Sequence, residues 1–180
     1  MVQAPGLFFY FCIYLRKTVK KNLFRHPKYL SSQRVAVFLN MHDEVRTDDI
    51  LRDIFKRGTA CFIPRYFTES SHMDILRLRD MEDVEHPAAS IFTQPAQNSD
   101  AMLHKRGLDL ILMPGLGFDK KGNRLGRRKG FYDTYLERCR MHPKGKPYTI
   151  ALAFKEQLCA EVPVGEHDIP IDEVLYEDEE

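Results

Sequence analysis

Continuous apolar runs of strand length alternate along this chain with segments of helical period. Arg34 to Met41 (RVAVFLNM) contains such a run and predicts a strand buried on both faces. A helix follows: Thr47 is placed to cap it, Asp48 and Asp49 suit its first turn, Ile50, Leu51, Ile54 and Phe55 share one face, and Gly58 closes it. Ala60 to Pro64 (ACFIP) predicts a second parallel strand, and Met73 to Leu78 another of more mixed polarity. Glu82 to Asp100 holds two prolines and little periodicity, so a connecting loop is expected there. Leu108 to Met113 (LDLILM) is a further buried strand, stopped by Pro114-Gly115. A glycine-rich basic loop then leads into a helix beginning near Gly130, with Phe131, Tyr135, Leu136 and Cys139 facing inward. Thr149 to Phe154 (TIALAF) predicts one more strand, and Asp172 to Tyr176 an edge strand. Strands alternating with helices predict a three-layer α/β fold on a mainly parallel sheet. In such sheets ligands bind beyond the carboxyl ends of the strands. The loop after Met113 lies at one of those ends.

Composition narrows the classes. A chain of 180 residues, 43% apolar and 29% charged, is the size and make-up of one globular domain. A net charge of +1 argues against a general nucleic-acid or membrane-surface binder. Charge is nevertheless uneven, with Lys120, Lys121, Arg124, Arg127, Arg128 and Lys129 in one short stretch and acids crowding the C-terminus. Cys12, Cys61, Cys139 and Cys159 are widely spaced, which is neither a disulfide framework nor a zinc pattern, and a reducing compartment fits. Cys61 and Cys159 sit in apolar runs and are expected in the core. Leu7 to Leu15 (LFFYFCIYL) is too short to span a bilayer, which needs about 20 apolar residues. Its basic residues follow the apolar run, unlike those of a signal peptide. Residues 1–24 are therefore expected to form an apolar-then-basic arm ahead of a single domain over 25–180.

The chemistry concentrates in MPGLGFDKKGNRLGRRKGFYDTYLERC, Met113 to Cys139. Gly115, Gly117, Gly122 and Gly126 allow close backbone approach to a ligand and positive φ. Arg124, Arg127, Arg128 and Lys129 supply cations, and the helix starting near Gly130 adds a positive dipole end. Together they suggest a cradle for a polyphosphate, although not a Walker A loop, because G-x-x-x-x-G-K-[ST] is absent. From the residues alone, a flexible turn with solvated bases explains the stretch equally well.

PGLGFDKKGNRLGRRKGFYDTYLERC resembles the long signature of the 5-formyltetrahydrofolate cyclo-ligase family. The segments VFLNMHDEV, CFIPRY, HMDILRL, KPYTIALAFKEQ and VPVGEHDIPIDEVLYED agree in order around it. The resemblance covers about Arg25 to Asp178. It implies an open α/β fold related to the ribose-5-phosphate isomerase and CoA-transferase group. It also implies a cytoplasmic, monomeric enzyme that needs neither nucleic acid nor membrane. The implied reaction converts 5-formyltetrahydrofolate and ATP, with Mg2+, to 5,10-methenyltetrahydrofolate, ADP and phosphate through a phosphorylated formyl group.

By the same resemblance Arg124, Leu125, Gly126, Arg127, Arg128, Lys129, Gly130, Phe131 and Tyr132 contact ATP. Leu39 and Glu44, with Arg127, Arg128, Lys129, Gly130 and Phe131, contact the folate. Arg127 and Lys129 carry the catalytic charge, and Asp133 and Asp168 hold magnesium, with Asp172 the nearby substitute for Asp168. On residue type alone, Leu39 reads as core, Glu44 as solvated, Asp133 as a first-turn helix acid and Asp168 as a turn residue. Tyr66 and Met73 suit either an apolar wall of the site or the core. Two features depart from the family: residues 1–24 lack its charged opening helix, and Arg128 stands where the family has glycine. A non-catalytic or weakly active folate-binding homologue is therefore the alternative to an active ligase.

Overall fold

The computed structural model describes residues 18–85, 106–127 and 130–177. Arg128 and Lys129 fall outside the described residues, as do residues 1–17 and most of the predicted 82–100 loop. Helix α1 (18–25) and the short α2 (Pro27–Ser31) lead into strand β1 (Arg34–Ala36). Then come α3 (Asp48–Lys56), β2 (Ala60–Tyr66), β3 (Met73–Leu78) and α4 (Glu82–Glu85). Strand β4 (Leu110–Met113), a small hairpin of β5 (Gly117–Phe118) and β6 (Arg124–Leu125), and helix α5 (Phe131–Arg140) carry the glycine-rich segment. Strands β7 (Tyr148–Leu152) and β8 (Glu173–Leu175) complete the sheet.

The six-stranded sheet runs β3-β2-β1-β4-β7-β8. Every neighbouring pair is parallel except β2 with β3, so the expected mainly parallel α/β architecture is the one observed. Strand period explains its two buried faces. Cys61 and Ile63, Leu110 and Leu112, and Ile150 and Leu152 point to one side. There they meet Val19 and Leu23 of α1, Tyr29 of α2, and Ile50, Leu51 and Ile54 of α3. Phe62, Ile111, Met113, Ala151 and Ala153 point to the other side, against Phe131, Tyr135, Leu136 and Cys139 of α5. This is why the central strands are apolar throughout rather than alternating.

Several expectations change in detail. The Met73–Leu78 strand is well formed despite its mixed polarity, because Asp74 is buried against Arg65 at 3.0 Å and His72 at 2.8 Å. The strand predicted over 34–41 ends at Ala36. Beyond it Val37 keeps one sheet bond, N–H to the Phe62 carbonyl at 2.8 Å, and the chain then turns away. Thr47 stands at the N-cap of α3, but its hydroxyl donates to the Phe38 carbonyl at 2.9 Å instead of capping the helix. Asn40 Oδ1 accepts from the Thr47 N–H at 3.0 Å, so the 37–47 connection is stapled to α3. Cys159 is exposed rather than in the core, because it follows a one-turn 3-10 helix (Lys155–Gln157) that leaves the sheet after Phe154. Cys61 is in the core, and burial pushes its thiol up to about 12, which leaves it unreactive near neutral pH.

Candidate active site

Chain direction places the site. From β1 the chain moves to β2 on one side, while β4 pairs with β1 on the other, so the gap between β1 and β4 is a topological switch point. The 37–47 connection leaves the carboxyl end of β1 there, and the glycine-rich segment leaves the carboxyl end of β4. Between them lies a cavity of about 490 Å³, lined by Phe38, Leu39, Met41, Glu44, Tyr66, Pro114, Gly115, Leu116, Arg124, Arg127, Phe131 and Tyr132. That size suits a small organic ligand, and the lining is apolar with a few convergent polar groups.

Glu44 and Arg127 meet across the gap. The Glu44 carboxylate is buried; one oxygen accepts from the Met41 N–H at 2.9 Å, and the other from Arg127 Nε at 3.3 Å. Arg127 Nη2 also donates to Asp43 at the rim. That hydrogen bond holds the Arg127 guanidinium charged and the Asp43 carboxyl below its ordinary range. Arg124 behaves differently. Its guanidinium donates to the Pro114 carbonyl at 3.2 Å, approaches Asp133 at 3.6 Å and lies 5.2 Å from the centre of the Tyr132 ring. It is a strut joining the end of β4 to the first turn of α5, as well as part of the cavity wall.

The apolar wall comes from Tyr66 at the end of β2, packed edge-on to Phe131 at 5.1 Å between ring centres. Its hydroxyl shares a hydrogen bond of 3.0 Å with that of Tyr132, whose phenol burial pushes well above its usual value. One proton lies between the two oxygens, leaving the accepting phenol's own O–H to point elsewhere. Met73 is core instead, and Leu39 sits half-exposed at the cavity mouth rather than in the core.

The loop itself is built by a residue that sequence reasoning passed over. Asp119 accepts from the N–H groups of Lys121 at 2.9 Å, Asn123 at 3.0 Å and Val162 at 3.0 Å, and from Asn123 Nδ2 at 2.9 Å. Burial alone would raise its pKa, but these four donors hold it down to about 2. The signal was an aspartate heading D-x-x-G-N, an Asx-turn pattern hidden inside a basic run. Gly122 closes this turn at φ +83°, and a Cβ there would stand 2.2 Å from the Ile171 carbonyl oxygen. Gly115, in the cavity lining, and Gly126 are also sites of close packing within the loop. A Cβ at Gly115 would meet Phe118 at 2.6 Å and one at Gly126 would meet Arg124 at 2.9 Å, so these glycines let the loop pack on itself.

Helix α5 starts at Gly130, which has φ +65°, and no side chain caps it. Its first-turn N–H groups keep their electropositive character. Asp133, in that turn, lines a second cavity with Gly130 and Asp168. Asp133 Oδ1 accepts from the Ile169 N–H at 2.9 Å, so the neighbouring peptide ties the two aspartates' segments together. Asp168 Oδ2 accepts from the Gly165 N–H at 2.7 Å. Asp172 is committed elsewhere: it accepts from Thr149 and Lys146 at the amino end of β7, which removes it as a substitute for Asp168. Lys20, one of the N-terminal bases, pairs with Asp49 in the first turn of α3. Leu125 is exposed on β6, outside the cavity lining.

An open α/β sheet with a partly apolar, arginine-bearing crevice at its switch point defines a small-molecule site of the kind enzymes build. The fold is that of solved methenyltetrahydrofolate synthetases. The Mycoplasma pneumoniae structure matches at TM-score 0.66 and 17% identity, covering 92% of this chain and 86% of that one. The Aquifex aeolicus structure matches at TM-score 0.65 and 24% identity, covering 90% and 77%. Sequence comparison goes further. The 5-formyltetrahydrofolate cyclo-ligase family model matches residues 15–177, and the chain belongs to that family. A 5-formyltetrahydrofolate cyclo-ligase of Mus musculus is 54% identical over 157 residues, 85% of this chain and 77% of that protein. A probable 5-formyltetrahydrofolate cyclo-ligase of Caenorhabditis elegans is 34% identical over 153 residues, 82% and 74% of the two chains.

Proposed function

We propose that this chain cyclises 5-formyltetrahydrofolate to 5,10-methenyltetrahydrofolate at the expense of ATP, as a cytoplasmic monomer, with the cavity between β1 and β4 as the place where the two substrates meet. The observation that carries the reading is the Glu44–Arg127 contact, because it joins a buried acceptor suited to a pterin with a cation suited to phosphate. Pterin amino and ring N–H groups are donors, and Glu44 keeps lone pairs for them beyond those used by Met41 and Arg127. Leu39, Tyr66 and Phe131 supply flat apolar surface for the ring.

The chemistry asks for activation of a poor leaving group. The formyl oxygen of the substrate attacks the terminal phosphorus of ATP, ADP departs, and an imidate phosphate results. The second folate nitrogen then adds to the activated carbon, loses its proton, and phosphate leaves as the ring closes. Phosphoryl transfer requires mainly positioning and charge neutralisation. Arg127 offers the fork for the transferring group, and Arg124 holds the wall and the start of α5 in place. The electropositive end of α5 adds backbone donors. Lys129 and Arg128 stand next to it in the chain and belong to the same role.

Magnesium fits the donor set. Asp133 and Asp168 offer hard carboxylate oxygens in one cavity, each held by a backbone N–H. Magnesium is an ion that takes one or two carboxylates and completes its shell with waters and substrate phosphates. When bound, it would supply further charge neutralisation to the nucleotide.

Separate calorimetric titrations with Mg-ATP and with 5-formyltetrahydrofolate test the proposal. Both are expected to bind at one site per chain. Folate binding without any for Mg-ATP would leave a folate-binding homologue in place of a ligase.

A further inference from the structure

Two carboxylates converge on one guanidinium at the cavity mouth, and they are not equivalent. Glu44 is 7% exposed, is held independently by the Met41 N–H, and meets Arg127 Nε. Asp43 is 43% exposed and sits on the outer edge of the fork at Nη2. Among the described residues its only ion pair is with Arg127. Arg127 itself remains 30% exposed and lines the cavity. With Asp43 in place, the three groups sum to one negative charge at the entrance to a site read as taking a polyphosphate. Asp43 is not needed to keep Arg127 at the cavity, because the buried Glu44 does that from the other side.

Carboxylate and phosphate oxygens compete for the same guanidinium donors with similar geometry. We propose that Asp43 is a counter-ion latch on Arg127: it occupies the outer donors of the fork until a phosphate group displaces it, and so sets the affinity for the nucleotide. This rests on the proposed ATP site, and it adds a residue that weakens nucleotide binding rather than strengthening it. The latch thereby keeps the cavity mouth net negative in the empty protein and opens the Nη2 edge of Arg127 only to an anion able to compete.

The test is Asp43→Asn, which keeps the side-chain shape and removes the charge. Exposed ion pairs are weak, so the expected gain is modest: Mg-ATP binds about two- to fivefold tighter and its KM falls by the same factor. The folate KM and the melting temperature should stay unchanged. Tripolyphosphate, titrated in parallel as a bare anion, should show the same gain. The affinity of the variant should also fall more steeply with added salt than that of the wild type, because the fork is then unscreened by a carboxylate. Unchanged or weaker anion binding in the variant would overturn the latch and make Asp43 a support for Arg127. Wild-type protein that binds neither Mg-ATP nor tripolyphosphate would remove the nucleotide site itself. Wild-type binding without a gain in the variant removes the latch alone.

Discussion

Glu44 and Arg127 lie 83 positions apart in sequence and touch at 3.3 Å across the gap between the carboxyl ends of β1 and β4. One comes from a connection stapled by Thr47 and Asn40, the other from a loop organised around Asp119. Local hydrogen bonds shape each segment, and the sheet topology brings the two together.

Replacing Glu44 by Gln should act on the folate. The amide keeps the volume but loses a charged acceptor, and a charge-assisted hydrogen bond contributes about 1.5–3 kcal/mol. The folate dissociation constant is expected to rise about 10- to 150-fold. Titration of 5-formyltetrahydrofolate into the variant checks this, and an unchanged constant would place the pterin elsewhere.

Arg127→Lys should act on the phosphate. A lysine keeps one positive charge but loses the planar fork that here serves Glu44 and Asp43 at once. The expected outcome is a fall in kcat/KM for ATP of about 10- to 150-fold, from the loss of a charge-assisted contact. Folate binding should change far less. Steady-state kinetics with each substrate varied in turn separates the two effects.

Asp119 predicts an acid limb in the stability profile. Its folded pKa of about 2 lies below the unfolded aspartate value of about 3.9. A depressed carboxylate stabilises the fold above the unfolded pKa, and that stabilisation is lost as pH falls towards the folded one. The window is therefore about pH 4 to 2. Asp119→Asn should melt at lower temperature near neutral pH and lose less further stability across that window. Thermal melts of both proteins over the same pH series provide the comparison. Parallel curves would mean that the charge of Asp119 does not hold the loop.

Much of the fold was legible because both sheet faces are buried. The runs that hold β1, β4 and β7 could be read as strands from their unbroken apolar character, although the first overran β1 beyond Ala36, and Ile50, Leu51 and Ile54 could be read as the inner face of α3. The β5–β6 hairpin was not legible, since strands of two residues carry no periodicity. The burial of Glu44 could not be read either. It depends on the Met41 N–H and on an arginine from a distant loop, and an isolated glutamate in a connection looks solvated. Arg124 looked like a free cation in a basic run. Its strut role depends on the Pro114 carbonyl and on Asp133, whose nearness follows only from the hairpin. Family resemblance pointed to Leu39, Glu44, Arg127 and Phe131, and the fold brings these four to one cavity.

The most direct measurement is the growth of methenyltetrahydrofolate absorbance when 5-formyltetrahydrofolate is mixed with this protein, with ATP and Mg2+ supplied or withheld one at a time. The account predicts growth only when both are present, with one ADP released per folate cyclised. Folded protein that gives no absorbance change with both present, or the same change without ATP, would contradict it.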